Sequence, residues 1–181
     1  ELATDIGPVI DKTALNRLEQ HIQDVEQGKF NSDDKQASII DRYDESKVPS
    51  TGYFFAPTMV KLDSMTQLKE EVFGPVLHII RYPSKALDKV LQEINDSGYG
   101  LTLGIHTRIE NTAEYICKHT NVGNTYVNRN MVGAVVGTQP FGGEGLSGTG
   151  PKAGGPHYLF RFATEKTATI NTVATGGNTD L

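Results

Sequence analysis

Residues 124–155 set the strongest limit on what this chain can fold into: NTYVNRNMVGAVVGTQPFGGEGLSGTGPKAGG. Nine of the chain's 19 glycines (133, 137, 142, 143, 145, 148, 150, 154 and 155) fall in this stretch. No helical or strand period survives that spacing. Thr125, Tyr126 and Val127 read as a strand that runs into it. A loop of this length is either disordered or functional. Val132, Val135, Val136, Pro140 and Phe141 supply apolar anchors. The stretch is therefore expected to be an ordered loop that lets backbone approach a ligand closely.

A length of 181 residues allows one ordinary domain with its own core. At 37% hydrophobic and 22% charged, the composition is globular. A net charge of −5 and the lack of any Lys/Arg run argue against a nucleic-acid surface. No apolar stretch reaches the roughly 20 residues of a membrane span, and no signal-peptide pattern opens the chain. A single cysteine cannot close an internal disulfide, which fits a reducing, cytoplasmic compartment. The chain opens ELATDIGPVID without Met, and is expected to be cut from a longer polypeptide.

Asp11 is a plausible cap for a helix over residues 12–27, with Leu15, Leu18, Ile22 and Val25 on one face and Gly28 as its stop. Residues 37–40 and 53–61 have strand composition, the second interrupted by Pro57. Residues 62–71 carry weak helical signs. Phe73-Gly74-Pro75 breaks the chain before a strand at 76–82. Ser84 is expected to cap a helix over 85–97 ended by Gly98, followed by a strand at 101–106. A helix at 109–119 follows, with Ala113, Ile116 and Cys117 turned inward. Strands alternating with helices predict an α/β fold with a mostly parallel sheet flanked by helices. Residues 163–173 alternate like a two-faced strand, and a terminal edge strand of that kind suits pairing with another subunit.

Gly143-Glu144-Gly145-Leu146-Ser147-Gly148 matches GxGxxG. No helix can start at Thr149-Gly150-Pro151, so the context of a dinucleotide fingerprint is missing. Pro151 also stands where a phosphate loop needs Lys. The five histidines show no metal-ligand spacing. Glu70-Glu71-Val72-Phe73-Gly74-Pro75 presents a carboxylate and a ring from one stiff turn. That pair suits ribose hydroxyls and the face of a planar cofactor; it equally describes a solvated charge and a core ring. Cys117 reads as a buried structural thiol rather than a nucleophile, because Lys118 and His119 do not share its helix face. Arg129 can meet an anion or pair with a neighbouring acid.

Three segments in this order resemble the aldehyde dehydrogenase superfamily: EEVFGPV at 70–76, NTYVN at 124–128, and PFGG at 140–143 followed by SGTG. The continuation GAVVGTQPFGGEGLSGTGPKAGGPHYLFRF is similar to the Δ1-pyrroline-5-carboxylate (L-glutamate γ-semialdehyde) dehydrogenases. It is most like the dehydrogenase modules of the bacterial bifunctional proline-utilisation proteins. The resemblance implies a partial catalytic domain over residues 1–155, with a substrate-anchoring loop at 129–150. Residues 156–181 would form a tail carrying an oligomerisation strand, and so a homo-oligomer. It implies that Glu71 binds the nicotinamide ribose of NAD, with Phe73 packed beside the nicotinamide. It implies that Gly133 and Ala134 offer backbone N–H groups to the α-carboxylate of L-glutamate γ-semialdehyde. Phe141 would pack on the substrate's aliphatic part. The nucleophilic cysteine of the family is expected outside this chain, so no catalytic residue is assigned within it. The chain alone is then expected to be inactive. FAD is expected only if the parent protein carries a proline dehydrogenase domain. Two alternatives stand beside this reading: a non-catalytic carboxylate-binding or assembly module, and an aldehyde dehydrogenase of other specificity.

Overall fold

The computed structural model describes residues 5–132, 135, 137–171 and 173. These form two compact units, one built on residues 5–98 and 114–120, the other on 99–113 and the described residues from 121 onward.

In the first unit, helix α1 (Lys12–Glu26) begins where Asp11 accepts a hydrogen bond from Ala14 N at 2.7 Å. It ends in a Schellman arrangement. Gly28 adopts φ 70°, Gly28 N donates to Val25 O, and Lys29 N donates to Asp24 O. Between these signals Leu18, Ile22 and Val25 recur at helical spacing and are buried. They meet Phe55, Val60 and Leu62 in one core. Burying each such side chain is worth roughly 1.5–3 kcal/mol before chain entropy is counted.

That core covers a three-stranded sheet of order β1 (Ala37–Arg42), β2 (Thr58–Leu62) and β3 (Val76–Ile80). β1 and β2 run antiparallel from Ala37↔Leu62, with a bulge between Ile39 and Asp41. β2 and β3 run parallel, from Thr58↔Val76 to Leu62↔Ile80. The strand expected at 53–61 begins only at Thr58. Pro57 has no N–H for a ladder, and its carbonyl accepts instead from Tyr43 N at 2.9 Å. The weak helical signs at 62–71 condense to one 3-10 turn, Met65–Gln67, held by a capping box between Ser64 and Gln67. Ser84 does not cap the second helix. It opens a 3-10 turn, Ser84–Ala86, that runs into α2 (Leu87–Asp96), which Gly98 at φ 74° stops.

In the second unit, β4 (Tyr99–Gly100) leads to β5 (Thr102–Ile105), and α3 (Glu110–His119), whose residues from 114 onward count with the first unit, connects β5 to β6 (Asn124–Val127). β5 and β6 pair in parallel, as a βαβ crossover requires. β7 (Glu144–Gly145) returns from the glycine-rich stretch to pair antiparallel with β4. Cys117 is exposed, contrary to the inward position expected for it. Ala113 and Ile116 mark α3's less exposed side; Cys117, four residues after Ala113 but about 100° around the helix from Ile116, falls at the edge of that side. Residues 164–171 form no strand and are exposed. An alternating segment becomes a strand only where another edge supplies the ladder, and none of the described residues does so.

Candidate active site

The Glu70–Pro75 turn belongs to the first unit, and the core shapes it. Val72 packs against the core cluster. A Cβ on Gly74 would stand 2.5 Å from Leu18 Cδ1 and 2.6 Å from Cδ2, so a larger residue here would push the Leu18 side chain out of its place in the core. Val76 N donates back to Gly74 O at 2.8 Å, and Thr58 N donates to Pro75 O at 3.0 Å. With Val72 turned inward, its neighbours turn outward. Glu71 is exposed and makes no hydrogen bond or ion pair with the described residues. The Phe73 ring is 85% exposed. Both border an open cleft of about 1420 Å³ that is also lined by Arg17, His21 and Lys29. A carboxylate with all its lone pairs free and an uncovered ring, two residues apart on a stiff turn, are suited to neighbouring hydroxyls and to the face of a planar ring.

His21 on α1 and His78 on β3 meet Nε2 to Nε2 at 2.9 Å, so one ring donates and the other accepts. Burial pushes the His78 imidazole down to about 4, and the His21 charge adds to the effect. Burial also lowers His21, with Asp24 opposing it. Both are therefore neutral at pH 7. Between pH 6.5 and about 4 the unfolded chain binds these protons first, so stability is present above that window and is lost as pH falls through it. Urea unfolding midpoints measured across the window are expected to drop, and His78→Asn to flatten most of the slope. An unchanged slope in that variant would assign the acid sensitivity elsewhere.

In the second unit, β6 opens on Asn124 and is followed at once by Asn128, so an asparagine stands at each end of the strand that leads into the glycine-rich loop. Asn128 adopts φ 54°, which Asn tolerates better than most residues. Its amide accepts from Thr107 N at 3.0 Å and donates to Thr107 O at 2.9 Å. Arg129 pairs with no acid among the described residues; its guanidinium lies 5.0 Å from the centre of the Tyr126 ring. Gly133 and Ala134, the expected carboxylate donors, lie outside the described residues. The chain returns through Phe141, half-buried, whose backbone pairs with Ala153 in both directions at 3.0 and 2.9 Å. Asn124 Nδ2 donates to Pro140 O at 3.0 Å, and Gly142 N donates to Asn124 Oδ1 at 3.1 Å.

The GxGxxG glycines serve backbone packing. A Cβ on Gly148 would fall 1.8 Å from Gly143 O, and one on Gly143 would fall 2.5 Å from Ser147 O. Ser147 Oγ accepts from Gly100 N at 3.1 Å and ties the turn to β4. Sequence reasoning missed both asparagine clamps and the histidine pair. Asn at the two ends of a strand that flanks a glycine loop was the available signal. Cys117 makes no hydrogen bond to a base among the described residues.

A model of the aldehyde dehydrogenase family matches residues 1–168. The chain is 53% identical over 165 residues to the bifunctional protein PutA of Klebsiella aerogenes, covering 91% of this chain and 12% of that protein. It is 39% identical over 165 residues to the 1-pyrroline-5-carboxylate dehydrogenase of Bacillus licheniformis, covering 90% of this chain and 30% of that one. The fold superposes on a crystal structure of Bradyrhizobium japonicum proline utilization A with a TM-score of 0.82 at 53% identity, over 96% of this chain and 17% of that one. It also matches a Thermus 1-pyrroline-5-carboxylate dehydrogenase with bound NAD, at a TM-score of 0.74 and 34% identity, over 90% of this chain and 30% of that one.

Proposed function

The chain belongs to the aldehyde dehydrogenase family, and from that premise we propose that it is part of an NAD-dependent dehydrogenase oxidising L-glutamate γ-semialdehyde to L-glutamate. The observation that carries the proposal is the Glu71–Phe73 turn, with a free carboxylate and an uncovered ring on one open cleft. Glu71 accepts hydrogen bonds from the two hydroxyls of the nicotinamide ribose, and Phe73 flanks the nicotinamide. Gly133 and Ala134 hold the substrate's α-carboxylate through consecutive backbone N–H groups, a geometry suited to an anion. Phe141 covers the aliphatic carbons between that carboxylate and the aldehyde. A cysteine thiolate from elsewhere in the parent polypeptide adds to the aldehyde carbon as a thiohemiacetal, bound NAD supplies the hydride acceptor, and water releases glutamate from the thioester. This chain contributes positioning, which in favourable cases lowers a barrier by roughly 7–11 kcal/mol.

The proposal includes a homo-oligomer. The 3-10 turn Tyr158–Phe162 leaves Leu159, Phe160 and Phe162 each at least 70% exposed, more apolar surface than one short turn commonly shows to water. The parent protein is expected to reduce NAD with glutamate semialdehyde, whereas the isolated chain is expected to give no turnover. Specific NAD reduction by the isolated chain would sink the assignment of the nucleophile to other residues.

A further inference from the structure

We propose that Asn124 is a positioning residue for Phe141: its side-chain amide fixes the backbone on both sides of that ring, and so sets where the ring stands against the substrate. The inference rests on the reading of Phe141 as the residue that covers the substrate's aliphatic carbons.

The geometry is specific. Asn124 Nδ2 donates to the carbonyl just before Phe141, that of Pro140, at 3.0 Å. Asn124 Oδ1 accepts from the N–H just after it, that of Gly142, at 3.1 Å. The Phe141 backbone N–H and carbonyl are both taken by Ala153. Three consecutive residues are thus held by four hydrogen bonds, two from one side chain and two from one backbone. The segment's own residues offer little further side-chain packing or hydrogen bonding. Gly142 and Gly143 carry no side chains to pack, and Pro140 has no N–H to give.

The anchor itself is rigid. Asn124 opens β6, pairs with Thr102 across the parallel ladder, and donates its own N–H to Leu101 O at 3.0 Å. The amide therefore ties the Phe141 backbone to the sheet. An amide is the one side-chain group of this length that offers a donor and an acceptor in the pattern of a peptide. Aspartate keeps the acceptor for Gly142 N and sets an oxygen against the Pro140 carbonyl. Leucine removes both bonds and leaves the loop to pivot about the Ala153 pair. Small displacements of a substrate-facing group carry large kinetic costs.

The test uses the full-length parent protein, with steady-state kinetics for glutamate semialdehyde. Asn124→Leu is expected to raise KM about tenfold while kcat falls less than about twofold, the scale of one or two lost hydrogen bonds that position a binding group. Asn124→Asp, which keeps one of the two bonds, is expected to fall between wild type and Asn124→Leu, and it decides the matter if the leucine variant does not fold. Phe141→Ala is expected to raise KM by itself. Adding Asn124→Leu to Phe141→Ala is then expected to raise it no further, because the amide acts through the ring. If Phe141→Ala leaves KM unchanged, the reading of Phe141 falls and the proposal falls with it. If Phe141→Ala raises KM but the asparagine substitutions do not, or multiply in full on top of it, the reading of Phe141 stands and the role of Asn124 is overturned.

Discussion

Gly123→Ala is expected to cost the second unit about 3 kcal/mol or more, by overpacking together with the hydrogen bonds it breaks. The added Cβ would stand 1.9 Å from Gly142 O and 2.9 Å from both Gly142 C and Gly143 Cα. Every one of those atoms is backbone, so no rotamer change relieves the clash. The Gly142 carbonyl would have to retreat from 1.9 Å to the 3.4 Å at which ordinary contact begins. That retreat pulls Gly142 N off Asn124 Oδ1 and strains the bond from Gly123 N to Gly100 O, now 2.9 Å. Gly154→Ala is the matched control. It also lies in the second unit, and its Cβ would meet nothing within 4 Å, so only its φ of 70° resists a side chain, at roughly 1–2 kcal/mol. Urea midpoints and amide exchange on β5 and β6 compare the two. Equal losses would mean that the close stacking of Gly123 on Gly142 does not hold the loop.

The features legible in the sequence are those whose causes are local. Asp11, the 15–18–22–25 spacing and Gly28 lie within one helix and its caps, and α1 follows them to within a residue. The Glu71–Phe73 turn was legible because Gly74 and Pro75 punctuate it from next door. The glycine-rich stretch declared itself by composition. What stayed hidden depends on pairing between distant segments. The bulge at Ile39/Asp41 exists only against β2, and no property of residues 37–42 alone requires it. Residues 163–173 alternate as a strand does, yet alternation says nothing about whether an edge is present to pair with. Cys117 was misplaced because a ten-residue helix with short apolar side chains fixes its buried face only loosely. Asn124 reaches partners 16 and 18 residues away. His21 and His78 are 57 residues apart.

Glu71→Gln is expected to weaken NAD binding to the parent protein by about ten- to a hundredfold with no change in the unfolding midpoint. The size follows from the two ribose hydroxyls proposed to donate to this carboxylate. A hydrogen bond to a charged group contributes roughly 1.5–3 kcal/mol, and glutamine keeps one neutral acceptor where the carboxylate offered two charged oxygens. Exposure of Glu71 moderates the loss, since water competes for both forms. The silent midpoint follows from the fold. Val72 and Gly74, not Glu71, carry the contacts of the turn with the core, and the Glu71 carboxylate pairs with none of the described residues. Titration of NAD against wild type and variant, alongside urea unfolding of both, separates the two effects. Unchanged NAD affinity would remove Glu71 from the cofactor site. A lowered midpoint would instead show the carboxylate working inside the fold, and the free acceptor on which the NAD reading depends would be lost.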